Sequence, residues 1–164
     1  MFKSETYGKV EVKEIPEKIK KFYDEMKKFE TPFQIVVGTD SQNFHDTKMV
    51  SVIACYKEGH GGIFFYEIDR LPRITNVKQK LNTETSKSLQ VMMELVDALE
   101  SDEAFLEIRE NALLSIHVDA GWSDKGKTKE LIPSLIGWIH ACGYEAQVKP
   151  NSFAASSIAD KISK

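Results

Sequence analysis

Two short apolar segments that each lead to an aspartate constrain the fold of this chain more than any other feature. The first is the β-branched run 35–37, which leads to Asp40, and the second is residues 113–118, which end at Asp119. Apolar runs of this kind predict buried strands. We therefore expect two central strands whose ends bring two carboxylates side by side at one edge of a sheet.

Length and charge limit the possible functions. A chain of 164 residues fits one domain, and a domain of this size buries about 70% of its unfolded surface without needing a disulfide. The net charge of −3 and the pI of about 5.8 exclude a global positive field that would attract nucleic acid. Any contact with a polyanion must therefore come from local basic patches.

The cysteines and the apolar runs indicate the compartment. Cys55 and Cys142 lie inside apolar runs without the spacing of a metal site, so we expect a reduced and buried pair. No stretch approaches the ~20 apolar residues of a membrane span, and no apolar signal segment opens the chain. These features predict a cytoplasmic protein with no membrane segment.

The N-terminal part of the chain is predicted to be an extension of the main domain. Residues 1–14 show weak alternation and predict an extended lead-in. Residues 15–29 have apolar side chains at helical spacing, Pro16 in the first turn and charges on the opposite face. We assign residues 1–32 to an N-terminal extension with an amphipathic helix, and residues 33–164 to an α/β domain.

The remaining chain changes between strand and helix patterns. Two hairpin connections, the second rich in glycine, join the first three strands into an antiparallel meander. Helices link the later strands, which should be parallel through right-handed crossovers. The expected fold is a mixed five-stranded sheet in the order βββαβαβα, with residues 102–111 open between a helical turn and a loop. The later strands fall at 49–56, 63–68, 113–119 and 145–148, and the helices fall near 77–99, 127–142 and 153–162.

Single residues refine this order. Asp124 is expected to cap the helix that follows it, Pro133 to mark where that helix truly starts, and Gly143 to end it as a left-handed residue. His117 is expected to be a hydrogen-bonded interior histidine. Trp122 either stacks on a base or packs at the sheet edge.

Two further acids are predicted to reach the same edge from helices. A step of about 100° per residue places Glu84 in the sheet-facing stripe of its helix, where a carboxylate is costly to bury unless positive charge compensates it. The last helix carries Asp160 among small side chains that permit close approach. Four carboxylates at one rim repel strongly. We therefore expect two Mg²⁺ or Mn²⁺ ions, about 3.5–4 Å apart, among Asp40, Glu84, Asp119 and Asp160.

Three local motifs carry a resemblance to a known family. They cover residues 37–42, 117–121 and 149–160. The element order and the positions of the acids resemble the ribonuclease H-like superfamily, and the motifs look most like its small bacterial YkuK family. The resemblance implies a nuclease whose metal-binding and catalytic residues are the four acids named above. The N-terminal helix lies outside the part of the chain that carries this resemblance.

Basic residues near the expected site are candidates for substrate contacts. Arg73 and Lys78 belong to residues 70–83, which contain no acid, and Lys125 and Lys127 follow the second aspartate. Both segments should open near the carboxylates, where they would suit phosphate groups. The alternative interpretation is ordinary surface charge.

Three functional classes follow from these patterns. The leading hypothesis is a nuclease, dependent on a divalent metal, that acts on RNA, DNA or a hybrid. The second is a catalytically inactive module of the same fold that binds nucleic acid, or a protein through the N-terminal helix. The third is a small-molecule domain with a doubly wound sheet, which lacks a glycine phosphate loop because residues 59–62 join two strands. A lone aspartate after a strand is also a common turn former.

Overall fold

The sheet is organised around its central strand β3 (Phe33–Asn43) in a computed structural model that describes every residue of the chain. On one side, β3 pairs antiparallel with β4 (Thr47–Lys57), which pairs antiparallel with β5 (Gly62–Leu71). On the other side, β3 pairs parallel with β6 (Leu113–Gly121), and β6 pairs parallel with β7 (Glu145–Lys149). The predicted meander and parallel crossovers are therefore correct.

The expected number of five strands is wrong, because the sheet has seven. Strands β1 (Phe2–Ser4) and β2 (Gly8–Val10) form an antiparallel hairpin, and Lys3 of β1 pairs with Tyr66 of β5 at the sheet edge. The full order is β2-β1-β5-β4-β3-β6-β7. Strands of three residues are too short to show a clear alternation, which is why the sequence predicts only an extended lead-in here.

One face of the sheet carries the main core of 26 buried residues. The N-terminal helix belongs to this core, since Ile19 and Phe22 on its apolar face are buried in it. That face is therefore covered by the body of the protein and is not free for a partner.

The helices are α1 (Ile15–Met26), α2 (Val77–Glu100), α3 (Leu106–Asn111) and α4 (Lys127–Ala141), and a 3₁₀ turn at Glu103–Phe105 precedes α3.

Two expectations about the boundaries of α4, one for its end and one for its start, have opposite outcomes. Gly143 has φ +92° and ends the helix in the left-handed region, as predicted. Pro133 does not mark the start, because the helix begins at Lys127 and tolerates the proline in its second turn. Cys55 is buried but Cys142 is exposed, so the expectation that both cysteines are buried is wrong. Neither α4 nor any other helix combines the length and apolar character of a bilayer-spanning segment.

The opposite face of the sheet is covered by the C-terminal helix. Its first part, Ala154–Ala159, is wound as a π-helix, and a short α-helix, α5 (Asp160–Ser163), continues it. The π-helix crosses β3 at Gly38, where a Cβ would lie 2.6 Å from the backbone nitrogen of Ala155. Glycine at this position therefore sets how closely the helix approaches the strand that carries Asp40.

Replacing Gly38 with alanine should force the C-terminal helix away from the sheet. We expect Gly38→Ala to lower the free energy of unfolding by about 1–3 kcal/mol, as overpacking does in other cores. The measurement is the midpoint of urea denaturation. Gly137→Ala in α4 is the matched control, since no atom lies within 4 Å of the added Cβ, and it should stabilise by up to about 1 kcal/mol. Equal effects of the two substitutions would contradict this close approach.

Candidate carboxylate site

Asp40 and Asp119 are brought together by the parallel pairing of β3 and β6. Gly38 lies opposite His117 in the register, so the positions two residues further along each strand, Asp40 and Asp119, are also neighbours. The two carboxylates are close enough to share a hydrogen bond when one of them is protonated. Asp40 is only 1% exposed. The sheet therefore holds two like charges next to each other in a largely dehydrated place.

Burial is the main cause of the altered acidity of Asp40. Burial, together with a hydrogen bond and charge repulsion from the neighbouring Asp119, raises the pKa of this carboxyl to about 6. Ser163 acts in the opposite direction, because its Oγ donates a hydrogen bond to Asp40 Oδ2 at 2.9 Å. Lys80 also lowers this pKa. The carboxylate pair is therefore under electrostatic strain that a bound cation would relieve.

Asp119 has one oxygen without a hydrogen bond. Its Oδ1 is buried and accepts no hydrogen bond of good geometry, and its partner is an ion pair with Lys149 Nζ at 3.2 Å. Most buried polar atoms are hydrogen-bonded, so an exception calls for an explanation. An oxygen held only by a lysine, beside a second carboxylate, could exchange that lysine for a hard divalent cation.

Glu84 reaches the same end of β3 from α2. It is 4% exposed, and its Oε1 accepts hydrogen bonds from Ser41 N at 3.0 Å and Ser41 Oγ at 2.6 Å. The pKa of Glu84 is raised to about 8, mainly by burial. The hydrogen bonds from Ser41 and the charge of Lys80 act in the opposite direction but are smaller. The charges of Asp40 and Asp119 add a smaller increase, so Glu84 belongs to the same electrostatic cluster.

Asp160 is placed differently from the other three acids. Its carboxylate pairs with Lys164 Nζ at 2.9 Å, and its backbone oxygen accepts a hydrogen bond from Ser163 Oγ. The side chain that this helix presents to Asp40 is Ser163, which is fully buried. The C-terminal helix thus delivers a hydroxyl to Asp40, and Lys164 adds positive charge near both strand aspartates.

The four acids do not form a ready-made metal site. Nowhere does the protein gather three or more His, Cys, Asp or Glu side chains in an arrangement that could hold a metal ion. Instead, two serines and three lysines contact the acids. Ser41 and Ser163 donate hydrogen bonds, and the lysines that form ion pairs are Lys80, Lys149 and Lys164. Lys80 lies in the basic segment 70–83 that was expected near the site from the sequence, whereas the other four residues were not expected there. Lys80 and Lys164 were detectable, since each stands four residues from an acid on one helix, but Lys149 and Ser163 arrive through long-range contacts.

The four basic candidates lie at the surface. Arg73 Nη1 donates a hydrogen bond to the backbone oxygen of Phe44 at 2.9 Å. Lys78 stands at the start of α2, and Lys125 and Lys127 lie in or beside the exposed connection between β6 and α4. None of the four forms an ion pair with an acidic side chain, so their charges are available to a ligand.

Three neighbouring residues were also assigned roles from the sequence. Asp124 does not cap α4: its carboxylate accepts a hydrogen bond from Gly121 N at 2.8 Å, and Gly126 occupies the cap position. Asp124 misses the cap position because the chain turns tightly after β6 before the helix starts.

His117 is interior and accepts a hydrogen bond from Ala154 N at 3.2 Å, as expected. Burial lowers its pKa to about 4. Trp122 is exposed.

The arrangement of strands and acids defines a class of protein. Five adjoining strands in the order β5-β4-β3-β6-β7, with helices crossing between the parallel ones, form a ribonuclease H-like fold. The chain belongs to the Ribonuclease H-like family, whose model matches residues 14–164. It is 30% identical over 139 residues to the Bacillus subtilis (strain 168) protein named "Uncharacterized protein YkuK", with 80% of each chain covered. No solved structure is significantly similar. The predicted family and fold class are confirmed.

The raised pKa of Glu84 should appear in the pH dependence of stability. The unfolded chain loses this proton near pH 4.5 and the folded protein near pH 8, so unfolding becomes more favourable as the pH rises through this window. Glu84→Gln keeps the acceptor for Ser41 and removes the charge. In EDTA, its stability relative to the parent should rise by at least about 1 kcal/mol between pH 5 and pH 8.

Urea denaturation at several pH values measures this difference. Glu94→Gln, on the exposed face of the same helix, is the control and should follow the parent profile. If Glu84→Gln also follows the parent profile, Glu84 is not a buried ionisable group of the site.

Proposed function

We propose that the protein is a nuclease that hydrolyses phosphodiester bonds of nucleic acid with two Mg²⁺ or Mn²⁺ ions. Asp40 and Asp119 would be the principal ligands, and Glu84 and Asp160 would complete the set. The observation that carries this proposal is the aspartate pair on the two central strands, in which Asp40 is buried and Asp119 Oδ1 is paired only with Lys149. Family membership supports the broader statement that this is a nuclease-like module related to nucleic acid.

The residues around the acids allow a bound cation to replace protons and lysine charges at the carboxylates. Bound ions of this kind activate a water molecule and stabilise the leaving 3′ oxygen. At neutral pH Glu84, whose pKa is about 8, holds a proton that binding must displace, whereas Asp40, whose pKa is about 6, is already mostly ionised. Ser41 orients Glu84 toward the cluster through two hydrogen bonds. Asp160 must leave Lys164 to join, and the freed lysine would then face the phosphate.

The exposed basic residues would hold the polyanion. The protein carries a net charge of −3, so its overall field repels nucleic acid and binding depends on local cations. Arg73, Lys78, Lys125 and Lys127 have no acidic partner and flank the site along the chain. Contacts of this type position the backbone without reading the sequence.

Metal binding tests the ligand assignment directly. In calorimetric titration with MnCl₂ at pH 7, the parent should bind metal and release protons, because Glu84, whose pKa is about 8, must ionise. Asp40→Asn and Asp119→Asn should each abolish this binding. Asp97→Asn, at an exposed position of α2, is the control and should bind as the parent does. Unchanged binding in both site variants would exclude the aspartate pair as the metal site.

Activity tests the reaction itself. With Mn²⁺, we expect cleavage of at least one substrate among single-stranded RNA, single-stranded DNA, their duplexes and a hybrid. Cleavage should fall to background in Asp119→Asn. Replacing Lys125 and Lys127 together with alanine should raise the KM and weaken its salt dependence, because fewer counterions are released on binding. Gel electrophoresis of labelled substrates measures both effects.

The second candidate is an inactive module that binds nucleic acid. It is favoured by the lysines that neutralise the acids without metal, Lys80, Lys149 and Lys164. Salt-dependent binding of nucleic acid, without turnover in Mn²⁺, would support this candidate over the nuclease. Docking of a protein through the N-terminal helix is not favoured, since the apolar face of that helix is buried in the core.

A further inference from the structure

A cavity lies on the sheet face that carries the C-terminal helix. It has a volume of about 580 Å³ and is lined by residues of β3, β4, β6 and β7 and by the turn that precedes the helix. None of the four candidate carboxylates lines it. Its volume falls within the range of small-molecule sites. The cavity is therefore separate from the aspartate pair, and the proposed nuclease chemistry leaves it without a role.

A largely buried histidine presents a free hydrogen-bond donor to this cavity. His117 lines it and is 3% exposed. Its Nδ1 accepts the hydrogen bond from Ala154 N, so the proton of the neutral ring is on Nε2. The Nε2–H group has no acceptor within the protein. The Nε2 atom is not fully buried, so this donor is open to the cavity, where an acceptor atom on a ligand could accept a hydrogen bond from it.

The walls of the cavity suit a flat ring. The Phe153 ring packs edge-to-face against Tyr56 at 5.2 Å and against His117 at 5.0 Å between centroids, and all three residues line the cavity. Gln147 and Asn151 add carboxamides, which both donate and accept hydrogen bonds. Aromatic walls with a few polar groups are typical of sites for planar ligands.

The charge of the cavity selects against phosphate. Glu58 and Glu145 line it, and neither lysine nor arginine does. Both glutamates are exposed, so they border the cavity where it meets solvent. Carboxylates repel an anionic ligand and accept hydrogen bonds from amino groups. The ligand should therefore carry an amino group and no phosphate on the part that enters.

We propose that this cavity binds an amino-bearing nucleobase. A ring nitrogen or carbonyl of the base accepts the hydrogen bond from His117 Nε2–H, its ring packs against Tyr56 and Phe153, and its exocyclic amino group faces Glu58 or Glu145. The base enters as part of a free nucleoside, because the phosphates that flank a base in a strand would meet the glutamates at the rim. This proposal needs no metal and does not rest on the nuclease.

Titration with adenosine in EDTA tests the proposal. The NMR signal of His117 Nε2–H should shift in a saturable way, as a new hydrogen bond requires. AMP, which adds phosphate, and purine riboside, which lacks the amino group, should each bind at least about tenfold more weakly, a difference of about 1.4 kcal/mol. A short oligoadenylate that binds more tightly than adenosine would contradict the selection against phosphate. No saturable shift, or equal affinity for AMP, would overturn the proposal.

Variants at the cavity rim separate recognition from folding. Replacing Glu58 and Glu145 together with lysine changes exposed side chains and should reverse the preference, so that AMP binds more tightly than adenosine. Glu103→Lys, an exposed change outside the cavity, should keep the parent preference. An unreversed preference in the double variant would contradict the proposal.

A change inside the cavity completes the set. His117→Phe removes the Nε2–H donor and should abolish adenosine binding. Asp40→Asn should bind adenosine as the parent does, so failure of the nuclease and failure of this proposal remain distinguishable.

Discussion

The structure depends on two carboxylates that parallel strand pairing forces together. Asp40 and Asp119 follow apolar runs that must be buried, and the register between β3 and β6 leaves no freedom to separate them. Burial and mutual repulsion raise the pKa of Asp40. The protein offsets this repulsion with lysines and hydroxyls from several elements. The same groups would have to yield to a divalent cation, so the pair links the fold to the proposed chemistry.

The C-terminal helix is the element most closely tied to this pair. Gly38 lets the helix lie directly on β3, Ser163 donates a hydrogen bond to Asp40, and Lys48 Nζ donates one to the backbone oxygen of Ile162 at 2.7 Å. The helix also divides its face of the sheet. The carboxylates lie toward its C-terminal end, whereas the cavity lined by His117 and Phe153 lies at its start. One helix therefore bounds both proposed sites.

Much of the fold could be predicted because its signals are local. Alternating and β-branched runs identify the five central strands, and the step of about 100° per residue brings Glu84 to the sheet side of α2. The β1–β2 hairpin was missed because three-residue strands carry too little pattern. The partner of Asp40 from the last helix could not be predicted, since the π winding of Ala154–Ala159 breaks the 3.6-residue period on which helix faces are assigned. Lys149 reaches Asp119 only through the pairing of β6 with β7.

Anomalous diffraction at the manganese edge from crystals soaked in MnCl₂ tests the central claim most directly. The account predicts a peak between the carboxylates of Asp40 and Asp119, within coordination distance of Asp119 Oδ1. It also predicts that the hydrogen bond from Ser163 to Asp40 is lost. A map without a peak at this position, with the contacts of Ser163 and Lys149 unchanged, would contradict the assignment of a metal site to this protein.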